Sequence, residues 1–129
     1  MAEMTFEETL ERINSEGNFR ASVLASSDGL PIAAAASPYD PELTAAMVGL
    51  LRSVAQQTRT QVGMAQLDEV SLRATDRLRL ICRCFQMDGE DFILAVLVPR
   101  EQRYYRKTTN WALRELTSTW RSITGNQLR

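Results

Sequence analysis

ASVLASSDGLPIAAAA, Ala21 to Ala36, sets two runs of small and branched apolar residues on either side of Ser26-Ser27-Asp28-Gly29. Gly29 takes positive φ without a Cβ clash, and Asp28 can hydrogen-bond the backbone near it, so the four residues read as a tight turn. The flanking runs, built from Ala, Val, Leu and Ile, read as the two strands of a β-hairpin buried on both faces. Strands this poor in bulk call for something bulky directly over them, and a helix is the expected cover. The rest of the chain is read as covering this hairpin or extending its sheet.

Two further strand signals follow a long helical stretch. Glu69–Ala74, EVSLRA, alternates, with Val70, Leu72 and Ala74 inward, as expected of a half-exposed edge strand. Leu78–Met87 and Asp91–Val98 flank Asp88-Gly89-Glu90, a second hairpin turn. DFILAVLV is apolar almost throughout, which marks a central strand covered on both faces. Pro99 ends it.

Three helices complete the pattern. Phe6, Leu10 and Ile13 form a narrow stripe on Thr5–Asn14, with Thr5 and Glu8 as a capping box and Gly17 as the stop. Ser37–Pro41 is a stiff loop that ends in Asp40 as N-cap and Pro41 at the first helical position. The helix from Glu42 to about Ala65 is the longest. Its Leu43, Met47, Leu50, Leu51, Val54, Val62 and Ala65 are expected to lie across the sheet. The opposite side carries Ala45, Gly49, Ser53, Thr60 and Gly63 among Arg52, Gln56 and Arg59. Glycine inside a helix costs ~1 kcal/mol against Ala, so this face invites the close approach of a second helix, the alternative being a tolerated, merely exposed face. Glu101–Thr124 is the last helix, capped by Gly125 and followed by a frayed tail. Its core side holds Tyr105, Thr109, Ala112, Leu113, Leu116, Trp120 and Ile123. Tyr104 and Trp111 lie on another side, either as a partner surface or, as read here, packed on the N-terminal helix. The order is α-β-β-α-β-β-β-α: an α+β fold, one five-stranded antiparallel sheet with helices on both faces, in a single domain spanning 1–129.

Composition narrows the chemistry. The 129 residues hold fifteen Lys and Arg against sixteen Asp and Glu, for a net charge of −1. That balance argues against a nucleic-acid or anionic-membrane footprint. All the basic residues but Lys107 are arginine. There is no histidine, which removes His-based triads, His-metal sites and imidazole switches. Cys82 and Cys84, two apart on one strand, point to one face as buried structural thiols and cannot supply a four-ligand zinc site. No metal or cofactor is expected. The acidic, amphipathic N-terminus resembles neither a signal nor a transit peptide, and no run approaches a membrane span, so a cytoplasmic location without membrane insertion is expected.

No nucleophile elbow, P-loop or dinucleotide fingerprint is present. Asp28 and Asp88 stand where turns want Asp. Arg79 and Arg83 share a strand face and could bind an anion, though Arg at a strand edge more often lies over apolar neighbours. No catalytic residue is expected. What remains is surface. The small-residue face of the long helix and the edge strand after it predict a homodimer with a continuous intermolecular sheet, through Ala45, Gly49, Ser53, Thr60, Val70 and Leu72.

The hairpin ASVLASSDGLPIAAA resembles the roadblock/dynein light chain domain, whose signature is a strand, a D-G-L-P turn and a second small-residue strand. The likeness continues through Leu50–Thr60, Asp91–Val98 and the Arg/Tyr-rich entry to the last helix, Arg103–Arg106. It covers nearly the whole chain in the same element order. The resemblance implies a five-stranded sheet flanked by helices, dimerisation through the long helix and the strand after it, and binding of small Ras-like GTPases. Bacterial members include a gliding-polarity regulator that activates its GTPase by remodelling the GTPase's own site, with no arginine finger. By that analogy Arg52, Gln56 and Arg59 would face the GTPase. The alternative is a structural adaptor with no effect on nucleotide turnover. A small-ligand sensor is a third reading, disfavoured by the tight Ala-rich strands.

Overall fold

The computed structural model describes residues 4–35 and 40–127. The elements are α1 (Phe6–Gly17), β1 (Ala21–Ser26), β2 (Pro31–Ala35), α2 (Pro41–Val62), β3 (Glu69–Arg73), β4 (Arg79–Met87), β5 (Glu90–Val98) and α3 (Arg106–Gln127). The five strands form one antiparallel sheet in the order β2-β1-β5-β4-β3. The expected element order and sheet are therefore the observed ones. The apolar strand β5 lies at the centre, and β3 is an edge, each as its pattern predicts.

Local chemistry sets the element ends. Thr5 Oγ1 accepts from Glu8 N at 3.1 Å while Thr5 N donates to Glu8 Oε1 at 3.3 Å, the reciprocal capping box. Asp40 Oδ1 accepts from Glu42 N at 3.0 Å and Leu43 N at 3.4 Å, with Pro41 opening α2. Met87 and Glu90 pair across a two-residue loop in which Asp88 (φ 53) and Gly89 (φ 83) are both left-handed, the type I′ geometry that matches strand twist.

Three expectations at the ends need correction. Gly17 does not cap α1; Asn18 does, at φ 55. Gly17 instead makes room for Phe19, because a Cβ there would stand 2.6 Å from the Phe19 ring. Gly125 does not cap α3, which runs on to Gln127. The last helix starts at Arg106, not Glu101, since Pro99–Tyr105 form a turn, with Gln102 N donating to Pro99 O at 3.0 Å, and an irregular segment before it. Ala36 at the end of the second hairpin run, Ser37–Tyr39 of the stiff loop and Leu128–Arg129 of the tail lie outside the described residues.

The sheet has two covered faces. On one, α1 and α3 bring Leu10, Ile13, Ala112 and Leu116 onto Leu24, Ile81, Leu94 and Val96. Trp111 packs against this core and stacks under Arg12 of α1, 4.9 Å from ring centre to guanidinium. Tyr104 does not pack on α1 and is 82% exposed. On the other face α2 lies alone. Val48 packs on Leu80, Cys82, Ile93 and Ala95, and Ala45 on Val23, Ala25 and Ala34. Cys82 and Cys84 are free and buried, as expected of structural thiols. Burial pushes the Cys82 thiol up to about 12 and raises that of Cys84, the nearby Arg52 opposing the latter.

Candidate interaction surface

Helix α2 carries two candidate faces, and the structure exchanges their roles. Its buried residues are Ala45, Val48, Gly49 and Arg52. Leu43, Met47, Leu50 and Val54, assigned to the core by their periodicity, are 60%, 47%, 67% and 54% exposed. The small-residue face does receive a close approach, but from the chain's own hairpin. A Cβ on Gly49 would lie 2.6 Å from Gly29 Cα, and one on Gly29 2.9 Å from the Ala45 carbonyl oxygen. Gly29 has φ 85, held by Gly29 N donating to Ser26 O at 3.0 Å and Ser26 N to Leu30 O at 3.0 Å. The D-G turn thus lies flat on the helix because neither glycine carries a side chain. The cover over the small strands is a helix, but it meets them with small residues rather than bulky ones.

Ala45 and Gly49 are therefore unavailable to a second protomer. Ser53 and Thr60 are exposed, Leu72 is 46% exposed, and Val70 is half-buried against the cluster around Val48. Of the residues expected to face a GTPase, Arg52 does not qualify: it is 5% exposed, with Nη2 3.7 Å from Asp91 Oδ1. Its guanidinium ties α2 to the start of β5. Gln56 and Arg59 are half-buried and line one polar groove with Ser53, Gln57, Thr60 and Gln61. The structure thus gathers Ser53 and Thr60, read as dimer contacts, and Gln56 and Arg59, read as partner contacts, around one depression on the C-terminal half of α2.

The outer edge of the sheet is fixed to α3 by a charged cluster. Tyr105 Oη donates to Glu69 Oε2 at 2.6 Å, and Arg106 reaches Glu69 Oε1 at 2.8 Å and Asp68 Oδ2 at 2.9 Å. Arg83, 3% exposed, donates to Thr109 Oγ1 at 2.6 Å and Asn110 Oδ1 at 2.8 Å, with Asp68 3.7 Å and Glu69 3.9 Å away. The hydrogen bond from Arg106 holds the Asp68 carboxyl below its ordinary 3.8, against a smaller opposing effect of burial. Burial and then the Glu69 hydrogen bond raise the Tyr105 phenol. Arg83 is thus a structural strut, not an exposed anion contact. Among the described residues no three of Cys, Asp and Glu gather closely enough to hold a metal ion, and no helix is long and apolar enough to cross a membrane.

Sequence reasoning missed the apolar stripe of α2 as a surface. One signal was present: the Ala-rich hairpin accepts only a small-residue helix face, which leaves the Leu/Met/Val face outward.

The Roadblock/LC7 domain profile matches residues 5–97. Among solved structures, Myxococcus xanthus MglB superposes with a TM-score of 0.78 at 16% identity, over 91% of this chain and 95% of that one. The gliding protein MglB of Thermus thermophilus gives 0.72 at 18% identity, over 87% and 85%. A Roadblock/LC7 domain from Streptomyces avermitilis gives 0.69 at 17%, over 99% and 100%. At these identities the likeness is one of fold. A comparison with curated protein sequences finds no match. With the profile spanning most of the chain and the sheet order in place, this protein belongs to the Roadblock/LC7 family.

Proposed function

We propose that residues 1–129 form a single roadblock-like domain that acts as a homodimeric binding module and regulates or scaffolds a small Ras-like GTPase. The observation that carries the dimer is the outward stripe Leu43, Met47, Leu50 and Val54, at i, i+4, i+7 and i+11 on α2. Four large apolar side chains in line form a seam of the kind that pairs helices. The edge strand β3, with Leu72 exposed, leaves its outer hydrogen-bonding groups open to a second strand. A two-fold axis beside α2 and β3 satisfies both features with one contact. The interface so proposed keeps Leu72 and replaces Ala45 and Gly49 by the four stripe residues, while Ser53 and Thr60, which line the polar groove, pass to the partner face.

Family membership and the MglB-like fold support a GTPase partner, and the polar groove around Gln56 and Arg59 is the face assigned to it. Binding energy there would favour one conformation of the GTPase's own site, so no residue of this chain needs to enter the chemistry. The test is a pull-down from source-organism lysate by tagged protein, with a non-hydrolysable GTP analogue or with GDP. A small GTPase retained only with the analogue supports the regulator, and its hydrolysis rate is then measured with and without the protein. A nucleotide-blind partner set overturns it in favour of an adaptor.

A further inference from the structure

Five arginines converge on one cleft at the end of the sheet remote from the Gly29 turn. Arg73 ends β3, Arg77 lies in the β3–β4 turn, Arg79 opens β4, and Arg100 and Arg103 come from the segment after β5. With Gln102 they line an open cleft of about 280 Å³, Arg79 half-buried and the other four arginines exposed. Arg73 and Arg79 are direct cross-strand partners, so two like charges stand opposite each other on one sheet face. Such pairs are destabilising. None of the five has an ion-pair partner among the described residues, although the chain as a whole carries an excess of acids. Asp76, the acid in the turn, uses Oδ1 to accept from Leu78 N at 3.0 Å.

Two of the arginines are held in position. Arg79 donates to the Gln102 carbonyl and stands 5.9 Å over the Tyr105 ring, which fixes its guanidinium at the floor of the cleft. Arg77 has φ 72, a left-handed conformation that favours glycine, in a turn closed by Arg77 N donating to Ala74 O at 2.9 Å.

The geometry points to a phosphate-binding site for a ligand with two or more adjacent phosphate groups. Guanidinium forks match carboxylate and phosphate oxygens alike, but the ratio of charge to space selects phosphate. A phosphate group packs nearly two charges onto three acceptor oxygens, whereas carboxylates bring one charge each on separate stems. Five converging cations in a cleft of this size are matched by two or three phosphates. The ligand is either a soluble polyphosphorylated molecule or a phosphorylated lipid headgroup, which present the same oxygens.

Titration calorimetry of the whole protein at low ionic strength tests the site, with inorganic monophosphate, pyrophosphate and tripolyphosphate as probes. Tripolyphosphate should bind more tightly than monophosphate by at least tenfold and weaken steeply with added salt. Arg73→Gln with Arg100→Gln should lose binding by tenfold or more, while Arg114→Gln, on a different groove of α3, should keep it. Arg77→Gly should raise the melting temperature of the free protein and still weaken tripolyphosphate, which a purely structural arginine would not do. Sedimentation with vesicles containing a phosphoinositide, against neutral vesicles, separates the sources: vesicle binding assigns a headgroup, and tripolyphosphate binding without it assigns a soluble ligand. No tripolyphosphate binding, equal binding by the double variant, or stronger binding of a glutamate-rich peptide overturns the assignment.

Discussion

Gly29 and Gly49 touch backbone to backbone: the Cβ that any other residue would carry at position 49 falls 2.6 Å from Gly29 Cα and 2.8 Å from Gly29 N. This contact sets the distance between α2 and the β1–β2 hairpin. It also determines which side of the helix faces the sheet, and so which side is left for partners.

Gly49→Ala should destabilise the fold even though Ala is the better helix former. The gain of ~1 kcal/mol in helix propensity is set against overpacking on rigid backbone, typically 1–3 kcal/mol. A net loss of up to about 2 kcal/mol is expected from urea unfolding. Gly125→Ala, in open space inside α3, should instead stabilise by ~0.5–1 kcal/mol.

Leu50→Glu should leave the protomer folded and abolish the dimer. The side chain is 67% exposed, so substitution removes no core contact, yet it places a charge at the centre of the proposed seam. Circular dichroism should be unchanged while light scattering falls from the dimer to the monomer mass. A variant that remains dimeric places the interface elsewhere.

Arg52→Glu should unfold the protein rather than report on partner binding. The guanidinium is buried, and reversal would place a carboxylate in its buried position facing Asp91, whose side chain is 34% exposed. A buried charge without a partner costs several kcal/mol, roughly 3–5 where its former partner is also buried and less here, and a fall in melting temperature should precede any loss of affinity. Arg59→Glu, half-buried at the rim of the groove, should keep the melting temperature near that of the native protein and weaken the partner.

Asp68 predicts a component of acid sensitivity. Its folded carboxyl is held below the ordinary 3.8 by the Arg106 hydrogen bond, so its contribution is present above that pH and is lost as pH falls through the folded value. The side chain is 63% exposed, which limits the contribution to under about 1 kcal/mol. Asp68→Asn should flatten the stability curve below pH 4 and lower stability slightly at pH 7.

Cys82 and Cys84 should resist a thiol reagent in the folded protein at pH 8. With the Cys82 thiol pushed up to about 12 and both side chains buried, almost no thiolate is available. Both should react at once in denaturant. Rapid labelling of the native protein would show that α2 lifts from the sheet.

Much of the architecture was legible because it rests on local rules. The capping box at Thr5, the Asp40 cap, the Asp88-Gly89 turn and the apolar run of β5 each specify an element through near neighbours. The alternation of Glu69–Arg73 marked an edge in the same way. Helix α2 was not legible, because a helix with two usable faces satisfies the 3.6-residue period either way round. The choice was made by the contact of two glycines twenty positions apart and by the Ala-rich strand that only a small-residue face can approach. The same holds for charge. Composition shows a nearly neutral, arginine-rich chain, and the spacing of Arg79 and Arg83 pairs them on one strand face. Only the tertiary structure draws Arg83 under α3 and gathers Arg79 with four arginines from β3, a turn and the segment after β5. Sequence determined what each segment is, since that depends on residues a few positions apart. Which surfaces remain outside depends on packing between segments far apart in the chain, and that the fold decided.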